Sequence, residues 1–257
     1  MPSRELVLVI AIASLIPFQS RAQSSYGQQL SKLNQQITEA YLNHDTAGLM
    51  HLYAQNAVSM PEYHVALFGK RAIAEYERAW QDSAKVKSYS RRTVDAIQTG
   101  NYLTETGVFS MRFSPHAKTA GYEGKYLAVW QVKPHGALKL LWEISGSNTH
   151  LERTDLPLSS SEISKTARVP KTKASRTSAT VQSLNDEIAE LVVQRKGAEF
   201  GKYYADDAIY APYDMPMLTG KTAIDAYYRE HEDPNNLIRA ARINALSVIP
   251  AGEYVLE

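Results

Sequence analysis

The chain of 257 residues contains no cysteine and carries almost no net charge. The missing thiols exclude disulfide bonds, a thiol nucleophile, thiolate metal sites and a lipid-modified cysteine. With 28 Lys and Arg residues against 27 Asp and Glu residues, no strong field draws the protein to nucleic acid or to an anionic membrane. We therefore expect a fold held by its core alone and no nucleic-acid partner.

Several motifs that mark chemical sites are also missing. The seven histidines show no His-Glu-x-x-His or His-x-His spacing, which a metal site would need. There is no glycine-rich phosphate loop and no Gly-x-Ser-x-Gly nucleophile turn. The sequence predicts no metal and no cofactor.

Residues 1–22 predict a secretory signal peptide. Arg4 precedes the apolar run Leu6–Ile16, and Ser20 and Ala22 are the small residues of a cleavage site. The run falls short of the roughly 20 apolar residues that span a bilayer. Cleavage after Ala22 would remove two basic residues and one acidic residue, which leaves 26 of each. We expect a secreted or periplasmic bacterial protein with no membrane span.

The strongest positive feature is an internal repeat. Leu33–Trp80 aligns without gaps to Leu184–His231, 151 positions later, and 16 of the 48 pairs are identical. A repeat of this length indicates that one domain architecture is used twice.

The first copy, residues 26–148, predicts an α+β fold. Apolar residues at helical spacing predict three helices, and alternating residues then predict long antiparallel strands separated by turns. Three helices followed by such a meander indicate a curved sheet folded around the helices. The predicted helices are Tyr26–His44, Thr46–Asn56 with Asp45 as its cap, and one from Gly69; the strands are Ala57–Met60, Val86–Gln98, Tyr102–Phe113, Gly121–Lys133 and Ala137–Ser147.

A linker and a second copy follow. Residues 149–180 are rich in Ser, Thr and Lys with little to bury, which predicts a disordered linker. The second copy, residues 181–257, repeats the helical half, but counterparts of Thr106–Asn148 are missing. We expect a truncated second domain, with a half-domain completed by a partner chain as the alternative.

These motifs resemble the nuclear transport factor 2-like superfamily. The resemblance rests on Ala-Tyr-Leu-Asn-His-Asp at 40–45, Tyr-Ala-Gln-Asn-Ala-Val at 53–58, Phe-Gly-Lys-Arg-Ala-Ile at 68–73 and Gly-Lys-Tyr-Leu-Ala-Val-Trp at 124–130. Within the superfamily the chain is most similar to SnoaL-like and ketosteroid isomerase-like domains. The resemblance implies a duplicated, cone-shaped fold with a pocket between sheet and helices. It does not imply one activity, because members include isomerases, cyclases and non-catalytic modules.

The residues of ketosteroid isomerase chemistry are absent at the matching positions. The resemblance places the catalytic base directly before the proline of the first strand, where this chain has Met60. The tyrosine donor and the third-strand acid fall at about Ile37 and Ala128. None of these side chains can exchange a proton, so steroid isomerisation is not expected.

Other residues could form a different site. Glu105 could be a general base if its strand faces the pocket, or it could pair with a neighbouring cation. His64, two residues after Glu62, is a second weak catalytic candidate. Met60, Tyr126, Trp130 and Trp142 are the predicted ligand-pocket residues, although aromatic residues in strands are equally suited to the core.

We rank three functions on this basis. A non-catalytic module that binds a small apolar or aromatic molecule comes first. A homodimer or assembly module joined through the open face of the sheet comes second, and an acid–base enzyme with a non-standard site comes third.

Overall fold

The computed structural model describes residues 26–114, 120–151, 175–231 and 237–257. These residues form two compact units, residues 26–151 and residues 175–212 with 217–257. The predicted signal peptide and most of the predicted linker lie outside the described residues. No helix in the described part of the chain is long and apolar enough to cross a bilayer.

The first unit has three helices and a six-stranded sheet. The order of its elements agrees with the prediction, and one short strand, β2, is added. The elements are α1 (Gly27–Leu42), α2 (Thr46–Leu52), β1 (Tyr53–Met60), β2 (Leu67–Phe68), α3 (Lys70–Ala84), β3 (Val86–Thr99), β4 (Tyr102–Phe113), β5 (Ala120–Val132) and β6 (Leu138–Ser147).

Helix α2 begins as predicted but ends earlier. The Asp45 carboxylate accepts a hydrogen bond of 2.8 Å from the Gly48 amide, so this residue is the N-cap. The helix stops at Leu52, not at Asn56, and the chain continues directly into β1. Tyr53 is already paired with Leu140 of β6, so pairing with the sheet overrides the helical pattern.

The strands are arranged in the order β2-β1-β6-β5-β4-β3. Strands β3 to β6 form the predicted antiparallel meander, but β1 is parallel to β6. The antiparallel meander is thus confirmed for β3 to β6, and the parallel pairing of β1 with β6 is a feature that was not predicted. The last strand of the meander, β6, therefore lies beside β1 and runs parallel to it.

The core lies between the helices and the inner face of the sheet. Ile37 of α1, Ile73 of α3 and Leu103, Trp130 and Leu140 of the strands are at most 2% exposed. Each such side chain stabilises the fold by roughly 1.5–3 kcal/mol. A continuous apolar layer thus fixes the helices on the sheet.

The second unit repeats the helical half of the first. It comprises α4 (Arg176–Val193), a 3-10 helix (Gly197–Tyr203), β7 (Ile209–Tyr210), β8 (Leu218–Thr219), α5 (Lys221–His231), β9 (Ile249–Ala251) and β10 (Tyr254–Leu256). Helix α4 begins before the predicted start at 181, because the Ser175 hydroxyl accepts from the Ser178 amide at 3.0 Å and caps it. Among the described residues of this unit, β9 and β10 form a two-stranded hairpin.

Candidate ligand site in the first unit

The first unit contains a cavity of about 90 Å³ between the inner face of the sheet and helices α1 and α3. Aromatic side chains dominate its walls, and the other ionisable groups are three carboxyl groups and one guanidinium. The lining residues are Tyr41, Ser59, Pro61, Glu62, Tyr76, Glu77, Trp80, Tyr89, Arg91, Phe109, Met111, Tyr122, Tyr126, Glu143 and Ser145. Every helix and strand of the unit except α2 and β2 contributes to this lining or to its edge.

Arg91 of β3 is the cation of the cavity. Its side chain is 4% exposed, and Nη1 lies 2.5 Å from Oε1 of Glu143 on β6. The guanidinium carbon lies 3.6 Å from the centre of the Tyr126 ring, a cation–π contact. The Tyr53 hydroxyl donates to the other oxygen of Glu143 at 2.7 Å. The hydroxyls of Tyr89 and Tyr126 also interact with the Arg91 guanidinium, but Nε and Nη2 are buried and make no hydrogen bond of their own.

A glycine makes this stacked arrangement fit. Gly107 of β4 is the cross-strand neighbour of Tyr126, and a Cβ atom at Gly107 would lie 2.2 Å from Cζ of that ring. Since real Cβ atoms do not approach so closely, any larger residue would displace Tyr126. Because glycine has no side chain, the Tyr126 ring can lie over β4 and contact the Arg91 guanidinium.

Glu77 of α3 is the most strongly perturbed acid of the cavity. It is 5% exposed, and burial raises its pKa to about 8, although the hydrogen bond from Tyr41, at 2.9 Å, opposes that rise. The negative charge of Glu143 raises the pKa further. Near neutral pH Glu77 is mostly protonated, so it can donate as well as accept a proton.

Glu62 follows Pro61 at the end of β1. Its Oε2 accepts hydrogen bonds from the Tyr122 hydroxyl and, at 2.9 Å, from the Ser147 amide. Burial raises the pKa of Glu62, and these two bonds oppose the rise. Its second oxygen, Oε1, is buried and has no partner.

Glu105 lies on the inner face of β4 but does not line the cavity. It is fully buried, and four donors surround it: Thr93 Oγ1 at 2.6 Å, Tyr126 Oη at 2.7 Å, Trp130 Nε1 at 2.8 Å and Asn34 Nδ2 at 2.9 Å. None of these hydrogen-bond donors is a Lys or Arg, so Glu105 does not form the ion pair that was the alternative to a catalytic role. The carboxylate joins α1 to three strands.

Of the four predicted pocket residues, Tyr126 lines the cavity and the others do not. Trp130 is on the inner face but fully buried against Glu105. Met60 and Trp142 adjoin Ser59 and Glu143, which line the cavity. Because successive side chains of a strand point to opposite faces, Met60 and Trp142 belong to the other face.

His64 lies outside the cavity lining. Its Nδ1 is 2.8 Å from the carbonyl oxygen of Val65, and its ring centre lies 5.0 Å from that of Tyr76. Within the described residues, no group of three or more His, Asp or Glu side chains could hold a metal ion. His64 is therefore beside a wall of the cavity and contributes no group to it.

Tyr41, Glu77, Arg91 and Glu143 were not predicted as site residues. A signal for Glu77 was present, since this acid falls on the same helical stripe as Ile73, Tyr76 and Trp80. A charged residue on an apolar stripe indicates a buried polar group. Arg91 gave no such signal, because its neighbours on β3 are polar.

The two acids of the cavity that fall within the aligned repeat are not retained in the second copy. Under the 151-residue offset, Ser59, Glu62 and Glu77 correspond to Tyr210, Tyr213 and Tyr228. Tyr228 stacks on Phe200, with ring centres 4.5 Å apart, inside the core of the second unit. The candidate site therefore belongs to the first unit alone.

Comparison with known proteins gives structural neighbours only. No protein-family profile matches the chain, and no curated protein sequence matches it. A ketosteroid isomerase-like protein from Erwinia carotovora atroseptica is 12% identical with a TM-score of 0.45, and covers 49% of this chain and 98% of its own. A nuclear transport factor 2-like superfamily protein from Salmonella enterica serovar Typhimurium is 10% identical with a TM-score of 0.43, covering 50% and 94%. A domain of unknown function with a cystatin-like fold from Nostoc punctiforme is 12% identical with a TM-score of 0.43, covering 51% and 83%.

The first unit has an α+β architecture in which three helices pack on a curved six-stranded sheet, and the polar cavity lies between these two layers. The predicted fold is thereby confirmed for the first copy. These similarities concern the fold and not an activity.

Proposed function

We propose that the protein is an exported small-molecule-binding module without catalytic activity, and that its ligand occupies the cavity of the first unit. The observation that carries this proposal is that two residues lining the cavity have buried polar atoms without a hydrogen-bond partner. Arg91 has two such N–H groups and Glu62 has one such oxygen. A buried polar group without a partner costs about 1–3 kcal/mol, and a bound ligand would recover that free energy.

Two further observations support binding over the other functions. The positions that would hold isomerase groups carry Met60, Ile37 and Ala128, and the last two are buried apolar side chains. Among the described residues of the first unit, the large hydrophobic side chains that are exposed are Leu42, Val65 and Val94. These are scattered, whereas an assembly surface would present a contiguous apolar patch. The homodimer through the sheet stays a prediction.

Native mass spectrometry of the protein purified from its own host tests the proposal. We expect extra small-molecule mass on the wild-type chain. We expect none on Ser59→Met, which replaces a cavity-lining side chain that is 5% exposed with a larger one. Ser90→Met, on the exposed part of β3, is the matched control and should retain the ligand. Equal ligand mass on both variants would contradict the proposed location.

An acid–base enzyme is the second candidate, and Glu77 is the observation that favours it. A carboxyl group with a pKa of about 8 is suited to proton transfer near neutral pH. Such an enzyme would exchange carbon-bound hydrogen of its ligand with solvent. Incubation of the protein and its co-purified ligand in deuterium oxide should then add mass to the ligand, and Glu77→Gln should prevent the gain. A ligand that takes up no carbon-bound deuterium supports simple binding.

A further inference from the structure

Given the proposed binding function, the polar groups of the cavity also indicate the chemical class of its ligand. The unused polar atoms of the cavity are of opposite kinds. Arg91 offers N–H donors from a permanent cation, whereas Glu62 offers an acceptor oxygen from an acid. A ligand that meets both needs must carry an acceptor at one end and a donor at the other.

The donors of Arg91 lie on one edge of its guanidinium. Nη1 is already occupied by Glu143, which leaves Nε and the neighbouring Nη2 unpaired. Two parallel N–H groups on a planar guanidinium match the two oxygens of a carboxylate. The contact with the Tyr126 ring fixes the plane of the guanidinium, so this edge is held in place before a ligand arrives.

The carboxylate of Glu62 is fixed in a similar way. Tyr122 and Ser147 both donate to Oε2, and these bonds hold the group while Oε1 remains unpaired. An ammonium group is the donor that best matches a buried carboxylate oxygen, because the bond is charge-assisted. The tyrosines and Trp80 that form the walls also favour an ammonium group over their ring faces.

The balance of charge separates three ligand types. A simple acid would pair with Arg91 but add a negative charge beside Glu62 and Glu143. A simple amine would pair with Glu62 but leave the free edge of Arg91 unmatched and place a second cation near it. A zwitterion matches both groups and adds no net charge to a buried site, where an unpaired charge is costly.

The volume of the cavity limits the ligand to a short molecule. About 90 Å³ is the share of roughly three water molecules in the liquid. It is well below the roughly 300 Å³ at which pockets for drug-sized ligands begin. Steroids and other large ring systems exceed this space by a wide margin.

We propose that the cavity of the first unit binds a short amino acid, with the carboxylate of the ligand on the Nε and Nη2 edge of Arg91 and its ammonium group on Oε1 of Glu62. The aromatic residues between these two groups surround the carbon chain. The ligand class therefore follows from one free cationic edge and one free acidic oxygen on the walls of one small cavity.

Isothermal titration calorimetry of the full chain with five probes tests this assignment. Glycine, β-alanine and γ-aminobutyrate vary the distance between the two charges, while butyrate and butylamine each carry one charge. We expect at least one of the three amino acids to bind about tenfold or more tightly than both butyrate and butylamine. Equal affinity for butyrate or butylamine and for the best amino acid would overturn the proposal.

Two variants connect the affinity to the two anchoring groups. Glu62→Gln retains an acceptor for Tyr122 but loses the charge, so the best amino acid should lose about tenfold in affinity. Butyrate should bind at least as tightly as it does to the wild type, because a like charge has been removed. Arg91→Lys retains the charge but loses the two parallel N–H donors of the guanidinium, so the affinities for the amino acid and for butyrate should both fall. Glu75→Gln and Arg71→Lys, on the exposed side of α3, make the same chemical changes away from the cavity. They should bind like the wild type.

The remaining outcomes separate this proposal from the proposed function. If Glu62→Gln binds the amino acid as the wild type does, the assignment of the ammonium group is wrong. If no probe binds while the protein from its host carries another small molecule, the binding function stands and the amino-acid assignment falls. If no probe binds and no small molecule is carried, both fall.

Discussion

The side-chain amide of Asn34 donates a hydrogen bond of 2.9 Å to the carboxylate of Glu105 in the first unit. In the second unit Asn185 corresponds to Asn34 at the offset of 151, and Glu257 aligns with Glu105 at an offset of 152; these two side chains make the same bond at 2.5 Å. The bond joins the first helix to β4 in the first copy and to the residue after β10 in the second. It is retained where the acids of the cavity are not, which indicates a structural role.

Glu105→Gln should lower the free energy of unfolding by roughly 2–3 kcal/mol. The amide that replaces the carboxylate brings an N–H group toward donors, and Trp130 has no acceptor to offer it. Urea denaturation monitored by circular dichroism measures the change, with the exposed Glu75→Gln as the control. A Glu105→Gln protein as stable as the wild type would contradict a structural role and revive Glu105 as a catalytic candidate.

Gly107→Ala should destabilise the first unit by about 1–3 kcal/mol, the usual cost of overpacking. The added Cβ would lie 2.2 Å from Cζ of Tyr126, so the ring and the guanidinium stacked on it must move. Gly121→Ala in β5 is the matched control, because no atom lies within 4 Å of its added Cβ. Thermal unfolding of both variants checks the prediction, and similar melting temperatures would show that Tyr126 yields without cost.

The sequence predicted the order of the elements of the first unit because its signals are local. Apolar spacing marks α1 and α3, Asp45 marks the start of α2, and alternation marks β3 to β6. The parallel pairing of β1 with β6 could not be predicted in this way. It joins Tyr53 to Leu140, and no local pattern records which distant strand will be the neighbour.

The candidate site was predicted only in part for a related reason. The choice of Trp130 and Trp142 assumed that strand aromatics face the ligand. A bulge between Val129 and Trp130 in the pairing of β5 with β6 changes which residues of β6 share a face. Glu143 therefore points into the cavity and Trp142 lies on the other side. Alternation along one strand predicts its two faces, but a bulge in a paired strand changes which residues meet across the sheet.

The stability of the protein should fall as pH rises from about 4.5 toward about 8, and Glu77 should be one cause. Burial raises the pKa of this carboxyl in the folded state to about 8, so the folded state binds more protons than the unfolded state in this window. The stabilising contribution is complete below the unfolded pKa and is lost as pH passes through the folded pKa. The slope reaches at most about 1.4 kcal/mol per pH unit for one proton.

Glu77→Gln should remove this contribution, because the amide does not titrate and its oxygen still accepts the Tyr41 hydroxyl. Unfolding free energies of the two proteins in urea, measured at several pH values across the window, provide the test. Glu75→Gln, two residues earlier on the exposed side of α3, should keep the wild-type slope. Parallel pH profiles for the wild type and Glu77→Gln would show that this carboxyl is not protonated in the fold.

Replacing Arg91 alone should lower the free energy of unfolding more than replacing Arg91 and Glu143 together. Arg91→Met leaves the Glu143 carboxylate buried without its cation, which costs about 3–5 kcal/mol. In the double variant Arg91→Met/Glu143→Gln no charge remains, and the amide at position 143 still accepts the Tyr53 hydroxyl. We therefore expect the double variant to be more stable than Arg91→Met alone. Urea denaturation of both variants measures the difference, and Arg71→Met is the exposed control. A double variant that is less stable than Arg91→Met would mean that Glu143 stabilises the fold without its arginine.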